Sequence, residues 1–349
     1  MKTISLIVFF FSIFCIAYTQ TKENSYLVIA KGQMPQVAKD KNNGIHIVYG
    51  SGDSIMYISS RDGNSFTSPS VIAFLPKLFA SAMRGPQIAA VADGIVVTAC
   101  TKEGNIFSFR KEASGKWTRA RKVNEVKEVA KEALMALSAD GFNVYAVWLA
   151  VKNPKGQNVY GAKSIDGGKT WTKNRLLYES PDGTVCECCK PSIAMKGNNV
   201  YVMFRNWLKG NRDLYLIRSS DAGKSFGQAQ KLGNGSWKLN GCPMDGGGLV
   251  IDKNGNPKTV WRREGKIYAS TPGMPEKEIG EGHNCSIETI NNKNSYAWTE
   301  NGNVVVMKPG GKKIILGKGS LPLVKALNNE QLICIWENEK QIHASVLEL

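Results

Sequence analysis

The sequence predicts one all-β domain, a β-propeller of four-stranded blades, and three observations predict it. A strand–turn–strand pattern recurs seven times. Apolar and polar residues alternate within the second strand of each copy, the period-2 signature of β structure. The copies fall about 47 residues apart, a blade-sized period.

Clear copies begin at Pro35 (PQVAKDKNNGIHIVYG), Pro86 (PQIAAVADGIVVTAC) and Pro191 (PSIAMKGNNVYVMFR). Looser ones begin at Ala133, Pro243, Ser286 and Leu321. The last copy, Leu321 to Leu349, supplies three strands, and Tyr26–Ala30 (YLVIA) can supply its fourth. That closure between the chain ends removes an exposed sheet edge. The count favours seven blades, with six as the alternative if the shorter C-terminal copies merge. Glu125–Glu132 carries apolar residues at near-helical spacing and reads as a helical or irregular lead-in to an inner strand from Ala133.

Composition agrees with a globular domain. With 42% hydrophobic and 21% charged residues among 349, wholesale disorder is excluded, and the 35 glycines follow no collagen period. The N-terminus has Lys2, an apolar run from Leu6 to Ile16, and small residues Ala17 and Thr19 at the −3 and −1 positions. Residues 1–19 therefore read as a secretory signal peptide, too short to span a bilayer, leaving 20–349 as a single exported domain. Lipid attachment at Cys15 is disfavoured by bulky Phe14 before it. No later stretch is long and apolar enough for a transmembrane segment. The formal charge of +16 suggests acidic partners, anionic carbohydrate first. Lys and Arg are scattered without a basic helix or arginine-rich tract, so nucleic acid is not expected.

A short motif recurs between third and fourth strands. Ser164-Ile165-Asp166-Gly167-Gly168-Lys169-Thr170-Trp171 and Ser219-Ser220-Asp221-Ala222-Gly223-Lys224-Ser225-Phe226 fit the Asp-box pattern S/T-x-D-x-G-x-T/S-W/F. Ser60 to Phe66 is a copy one spacer shorter. The aspartate can accept bonds from turn N–H groups, glycine supplies positive φ, and the aromatic anchors the hairpin. On these motifs the chain resembles the BNR-repeat, or sialidase-like, β-propeller superfamily. Val185–Ser192 (VCECCKPS) and Asn240–Gly248 (NGCPMDGGG) look like stretches of exported Bacteroidetes-type sialidase-like propellers. The resemblance implies a structural role for the Asp boxes, and a glycan-acting or glycan-binding protein, an exo-sialidase-like glycoside hydrolase among the options. A sialidase also carries an Arg-Ile-Pro motif in its first blade, where this chain has Gln33-Met34-Pro35-Gln36 without an arginine.

In a propeller the entrances of the inner strands converge on one pocket, so residues remote in sequence become neighbours there. Those entrances hold Gln33–Met34, Met83–Arg84, Lys131–Glu132, Cys186–Cys189, Cys242–Asp245 and His283–Cys285. A glycosidase needs paired acid and base or nucleophile groups, usually carboxylates, and Glu132, Glu187 and Asp245 are the candidates. Planar guanidinium groups suit a substrate carboxylate, which makes Arg84, Arg205 and Arg262 the candidate substrate contacts, with Arg212 and Arg263 beside them. Tyr201, Tyr215 and Tyr268 alternate with apolar residues and read as packing. His46 and His343 read the same way.

Sulfur is the other signal. Cys186, Cys188, Cys189, Cys242 and Cys285, with His283, could hold copper or zinc. In an exported chain disulfide bonding is the default reading and needs no cofactor. One bridge plus a reactive thiol also fits five cysteines. Cys100 and Cys334, inside apolar strands, read as inert core residues. The three Gly246–Gly248 residues read as backbone crowding near the axis, not a phosphate loop. Three functional readings therefore stand: a glycan-acting hydrolase, a metal- or thiol-dependent protein, and a noncatalytic binding propeller.

Overall fold

The computed structural model describes residues 26–127, 129–151 and 156–349. They form seven four-stranded antiparallel sheets. The first strands are Gln33–Lys39, Gln87–Val91, Met135–Asp140, Ser192–Lys196, Gly247–Ile251, His283–Ile290 and Ser320–Ala326. Each touches the next around a closed ring, so these seven are the inner strands of seven blades about one axis. Seven blades, not six, is the count.

Second strands are buried along most of their length. Asn143–Val151 (NVYAVWLAV) is buried from Val144 to Ala150, because another blade covers each of its faces. Trp148, Trp261, Trp298 and Trp336 sit on four such strands and are among the largest fully buried side chains. Hairpin chemistry fixes register. Asn301 and Gly302, with φ of 50° and 75°, link Glu300 to its partner Asn303. Positive φ at both loop residues matches the right-handed twist of the flanking strands, and Asn-Gly accepts it at least cost.

Closure follows the expected route, shifted by one residue. Leu27–Lys31 pairs antiparallel with Gln341–Glu348, and Leu27 lies opposite Ala344. Tyr26 precedes the strand and packs edge-on against Trp336 at 5.6 Å. Glu337 accepts the Met34 N–H at 2.8 Å, tying the last blade to the first.

The described residues of the 125–132 lead-in are irregular, and no helix occurs among the described residues. Its apolar spacing comes from loop residues that fill a gap between blades: Ala130 is fully buried and Val129 packs against the same cluster. Ala133 has φ of 50°, so the inner strand starts at Met135.

The Asp boxes lie in outer connections and clamp one blade to the previous one. Asp166 Oδ1 accepts the N–H groups of Lys169 and Thr170 at 3.0 and 2.9 Å, while Ser164 Oγ accepts the Gly168 N–H at 2.8 Å. Asp221 repeats this with Ser225 and Ser219, and the shortened Asp62 copy with Asn64 and Ser65. Gly168 (φ 85°) is pressed so closely on the preceding blade that a Cβ would come within 2.7 Å of Val96. Residues 1–19, which the sequence reads as a signal peptide, and Cys15 among them lie outside the described residues. No helix among the described residues is long and apolar enough to cross a membrane.

Candidate functional site

At six of the seven inner-strand entrances a non-glycine residue takes positive φ: Met34 (55°), Met83 (70°), Ala133 (50°), Met244 (45°), Asn284 (53°) and Leu321 (56°). In three blades the ladder is also broken there, between Gln33 and Gln36, His283 and Ser286, and Ser320 and Leu323. Such bulges re-aim side chains, and backbone strain of this kind gathers at functional sites. Here they rim an axial pocket of about 240 Å³ whose lining includes Met34, Met83, Lys190, Asp245, Asn284 and Leu321.

Lys190 is half-buried and lines this pocket. Desolvation alone brings its ammonium down to about 8, and no carboxylate among the described residues pairs with it. The other lysine in the wall, Lys325, is held by Glu288 at 2.7 Å. Asp245, opposite in charge, is fully buried. Burial pushes its carboxyl up, and the Arg205 and Arg262 guanidinium groups and the Asn284 N–H (3.1 Å to Oδ2) offset this in part. Its Oδ1 has no hydrogen-bond partner among the described residues. Behind it, the glycine run is crowded as expected: a Cβ on Gly247 would meet Met203 Cε at 2.6 Å.

The arginines expected on substrate are engaged within the protein. Arg84 donates to Glu132 Oε2 (2.6 Å), Glu132 O (2.8 Å) and Ala82 O (2.8 Å), joining the second and third blades. That also commits Glu132. Arg205, 1% exposed, donates to the carbonyls of Arg212 and Arg262 at 2.7 and 2.9 Å. Arg262 lies 3.9 Å from Asp245 Oδ2, and Arg263 is paired with Glu276 at 2.6 Å. Arg205 and Arg262 both stack on Trp237. Glu187 is exposed and accepts from Thr184 Oγ1 at 3.3 Å. Tyr201 is buried in the blade core and Tyr268 stacks on Trp261, both as packing residues. His46 bridges Asp40 and Tyr57, and His343 stacks on Trp336.

The sulfur residues divide. Cys188 and Cys242 form a disulfide, with Cys188 buried and Cys242 exposed. Cys186 Sγ stands 3.7 Å from Cys188 Sγ and 3.3 Å from Cys189 Sγ, and both Cys186 and Cys189 are buried free thiols. The Cys189 hydrogen bond, then Arg205 and Arg212, whose Nη1 lies 3.1 Å from Cys186 Sγ, hold the Cys186 thiol below its ordinary range against burial. Burial, and the bond to Cys186, push Cys189 well up. Cys285 faces Asp245, is pushed up by burial, and lies outside the tight trio of Cys186, Cys188 and Cys189. His283 is half-buried, and its Nδ1 bonds Asn284 Oδ1. With Cys188 bridged, two free thiols remain in the trio, fewer donors than the four of a structural zinc site. Cys100 and Cys334 are core residues, and burial raises Cys100 to about 12.

Lys190 is a pocket residue that the sequence motifs do not single out. It stands directly before Pro191 at an inner-strand entrance, as Met34 stands before Pro35 and Leu321 before Pro322, so aligning the copies would have marked it.

No protein-family model and no curated protein matches the sequence. Solved structures do. A lectin from Burkholderia pseudomallei is 9% identical, with a TM-score of 0.64 over 91% of this chain and 96% of that one. An α-L-arabinanase of Penicillium chrysogenum, complexed with arabinobiose, is 11% identical, with a TM-score of 0.55 over 93% and 95%. An α-L-arabinofuranosidase of Fusarium graminearum is 10% identical, with a TM-score of 0.52 over 91% and 93%. At such identities the likeness is one of fold: the chain is a seven-bladed β-propeller.

Proposed function

We propose that the protein is an exported, sialidase-like propeller that binds an acidic sugar in its axial pocket, with Lys190 as the contact for the sugar's carboxylate or sulfate. The observation that carries this reading is the unpaired, desolvated Lys190 ammonium in the pocket wall. A half-buried, desolvated cation without a counter-charge is costly, and an anionic ligand supplies the missing charge. The basic balance of the chain favours the same class of ligand, and the lectin and arabinanase neighbours act on or bind carbohydrate with this fold. The Asp boxes support the sialidase-like relationship. With the candidate arginines engaged in the frame and no Arg-Ile-Pro motif, lysine takes the anion-binding part that arginines have in a sialidase. The Cys188–Cys242 bridge favours an oxidising compartment, as expected after signal-peptide removal.

Hydrolysis is a second reading, favoured by Asp245. A buried carboxyl with a raised pKa in a pocket wall suits a general acid. With Glu132 held by Arg84, exposed Glu187 is left as the candidate second carboxylate.

Calorimetric titration of the mature protein with uronate-, sialate- and sulfate-terminated oligosaccharides, against neutral ones of equal length, tests the reading. Saturable binding of an acidic series supports it, and binding of neutral sugars only, or of none, overturns it. Mass analysis of the same mixtures distinguishes cleavage from binding.

A further inference from the structure

Four sulfurs from two distant chain segments meet beside the axial pocket, and their arrangement is asymmetric. One bridge, Cys188–Cys242, has a sulfur-bearing residue at the surface, whereas two free thiols lie wholly inside. Cys186 Sγ is within 3.7 Å of the bridge and within 3.3 Å of the other thiol. Cys186 and Cys189 are also spaced Cys-x-x-Cys, the spacing that permits a loop disulfide of its own. The guanidinium of Arg212 contacts Cys186 Sγ and Arg205 lies close by, so a thiolate at Cys186 is electrostatically supported. On the other side, the Asp245 backbone N–H serves Cys189.

We propose that Cys186, Cys188, Cys189 and Cys242 form a thiol–disulfide relay that moves one disulfide between an outer pair, Cys188–Cys242, and an inner pair, Cys186–Cys189. In the first step the Cys186 thiolate attacks Cys188 Sγ. A Cys186–Cys188 bond forms, the Cys188–Cys242 bond breaks, and its electron pair leaves on Cys242, which takes a proton from water. In the second step Cys189 gives up its proton and attacks Cys186 Sγ, and the Cys188 thiolate leaves and is protonated. Two thiols are oxidised and one disulfide is reduced, so the exchange balances without an outside oxidant. Its product is a dithiol with Cys242 exposed, able to reduce an accessible disulfide on a partner, while the buried bridge stores the oxidising equivalents. Run in reverse, the relay receives electrons from an external dithiol at the same exposed sulfur. This reading is independent of carbohydrate binding.

The test is thiol trapping on the folded mature protein. A maleimide that reaches exposed thiols is added, the reaction is quenched in acid, and the protein is digested without reduction. The tryptic peptide Leu176–Lys196, uncut at the Lys190–Pro191 bond, is predicted to shift from being linked to Leu239–Lys253 to carrying an internal bridge, as maleimide appears on Cys242. Cys186→Ser, with its outer bridge intact, should slow labelling of Cys242 at least tenfold. Cys189→Ser should label Cys242 and stop with Cys186 bonded to Cys188, which keeps the proposal testable if one variant folds poorly. Equal labelling of Cys242 in wild type and Cys186→Ser overturns the relay, as does a bridge that never leaves Cys188–Cys242. Stoichiometric zinc or copper held by four unbridged thiols overturns it in favour of a metal site.

Discussion

The indole N–H of Trp171, at the end of one blade's Asp box, donates to Ser108 Oγ of the preceding blade at 2.8 Å. The Asp box is therefore a joint between blades as well as a turn. Trp171→Phe should cost about 1 kcal/mol for the lost hydrogen bond, and Trp171→Ala about 2–4 kcal/mol for the half-buried ring. Chemical denaturation measures both, and unchanged glycan binding by the folded variants confirms the structural role.

Acid should loosen these joints in a defined window. Burial opposes the charge on Asp166, but hydrogen bonds from Thr170, Ser164 and Lys169 hold its carboxyl at about 2, below the ordinary value of 3.8. A carboxyl depressed in the folded state stabilises above its unfolded pKa and loses that contribution as pH falls through the folded one. Asp166→Asn should therefore be less stable than wild type at pH 7. The gap should narrow below about pH 4 and close towards pH 2, as followed by denaturation across that range.

Arg84 and Glu132 should behave as a strut. Glu132→Gln is expected to cost about 1 kcal/mol, because the carboxylate is partly exposed and the two backbone acceptors of Arg84 survive. Arg84→Ala strands those acceptors and should cost about 2–4 kcal/mol. If either change weakened sugar binding without altering the melting temperature, the residue would belong to the pocket instead.

Ring closure makes a prediction about the N-terminus. Removing residues 20–31 bares the outer edge of Gln341–Glu348 and uncovers the cluster that Ala30 helps to fill. The loss should be about 3 kcal/mol or more, seen as a lower melting temperature and a tendency to self-associate through the open edge.

The blades were legible in the sequence because strand period, hairpin residues and Asp boxes are local signals, and Asn301–Gly302 and Ser164–Trp171 form the turns their residues prescribe. Residues 125–132 misled in part, since buried loop residues such as Ala130 mimic a helical spacing without forming helical hydrogen bonds. Convergence of Cys186, Cys188, Cys189 and Cys242 was legible from topology. The partners of Arg84 and Arg205 were not: whether a guanidinium faces substrate or a carbonyl depends on packing between blades, which no local pattern records. Lys190 was not legible, because a single lysine among many has no signature until its environment is known.

The central claim rests on Lys190, and Lys190→Met tests it most directly. Methionine keeps most of the unbranched side chain and removes a desolvated, unpaired charge, so the variant should melt at or above the wild-type temperature. In the same preparation, calorimetric titration with the acidic oligosaccharide should show affinity reduced by about tenfold or more, the scale of one charge-assisted hydrogen bond. A folded Lys190→Met protein that binds the acidic sugar as tightly as wild type would contradict the account.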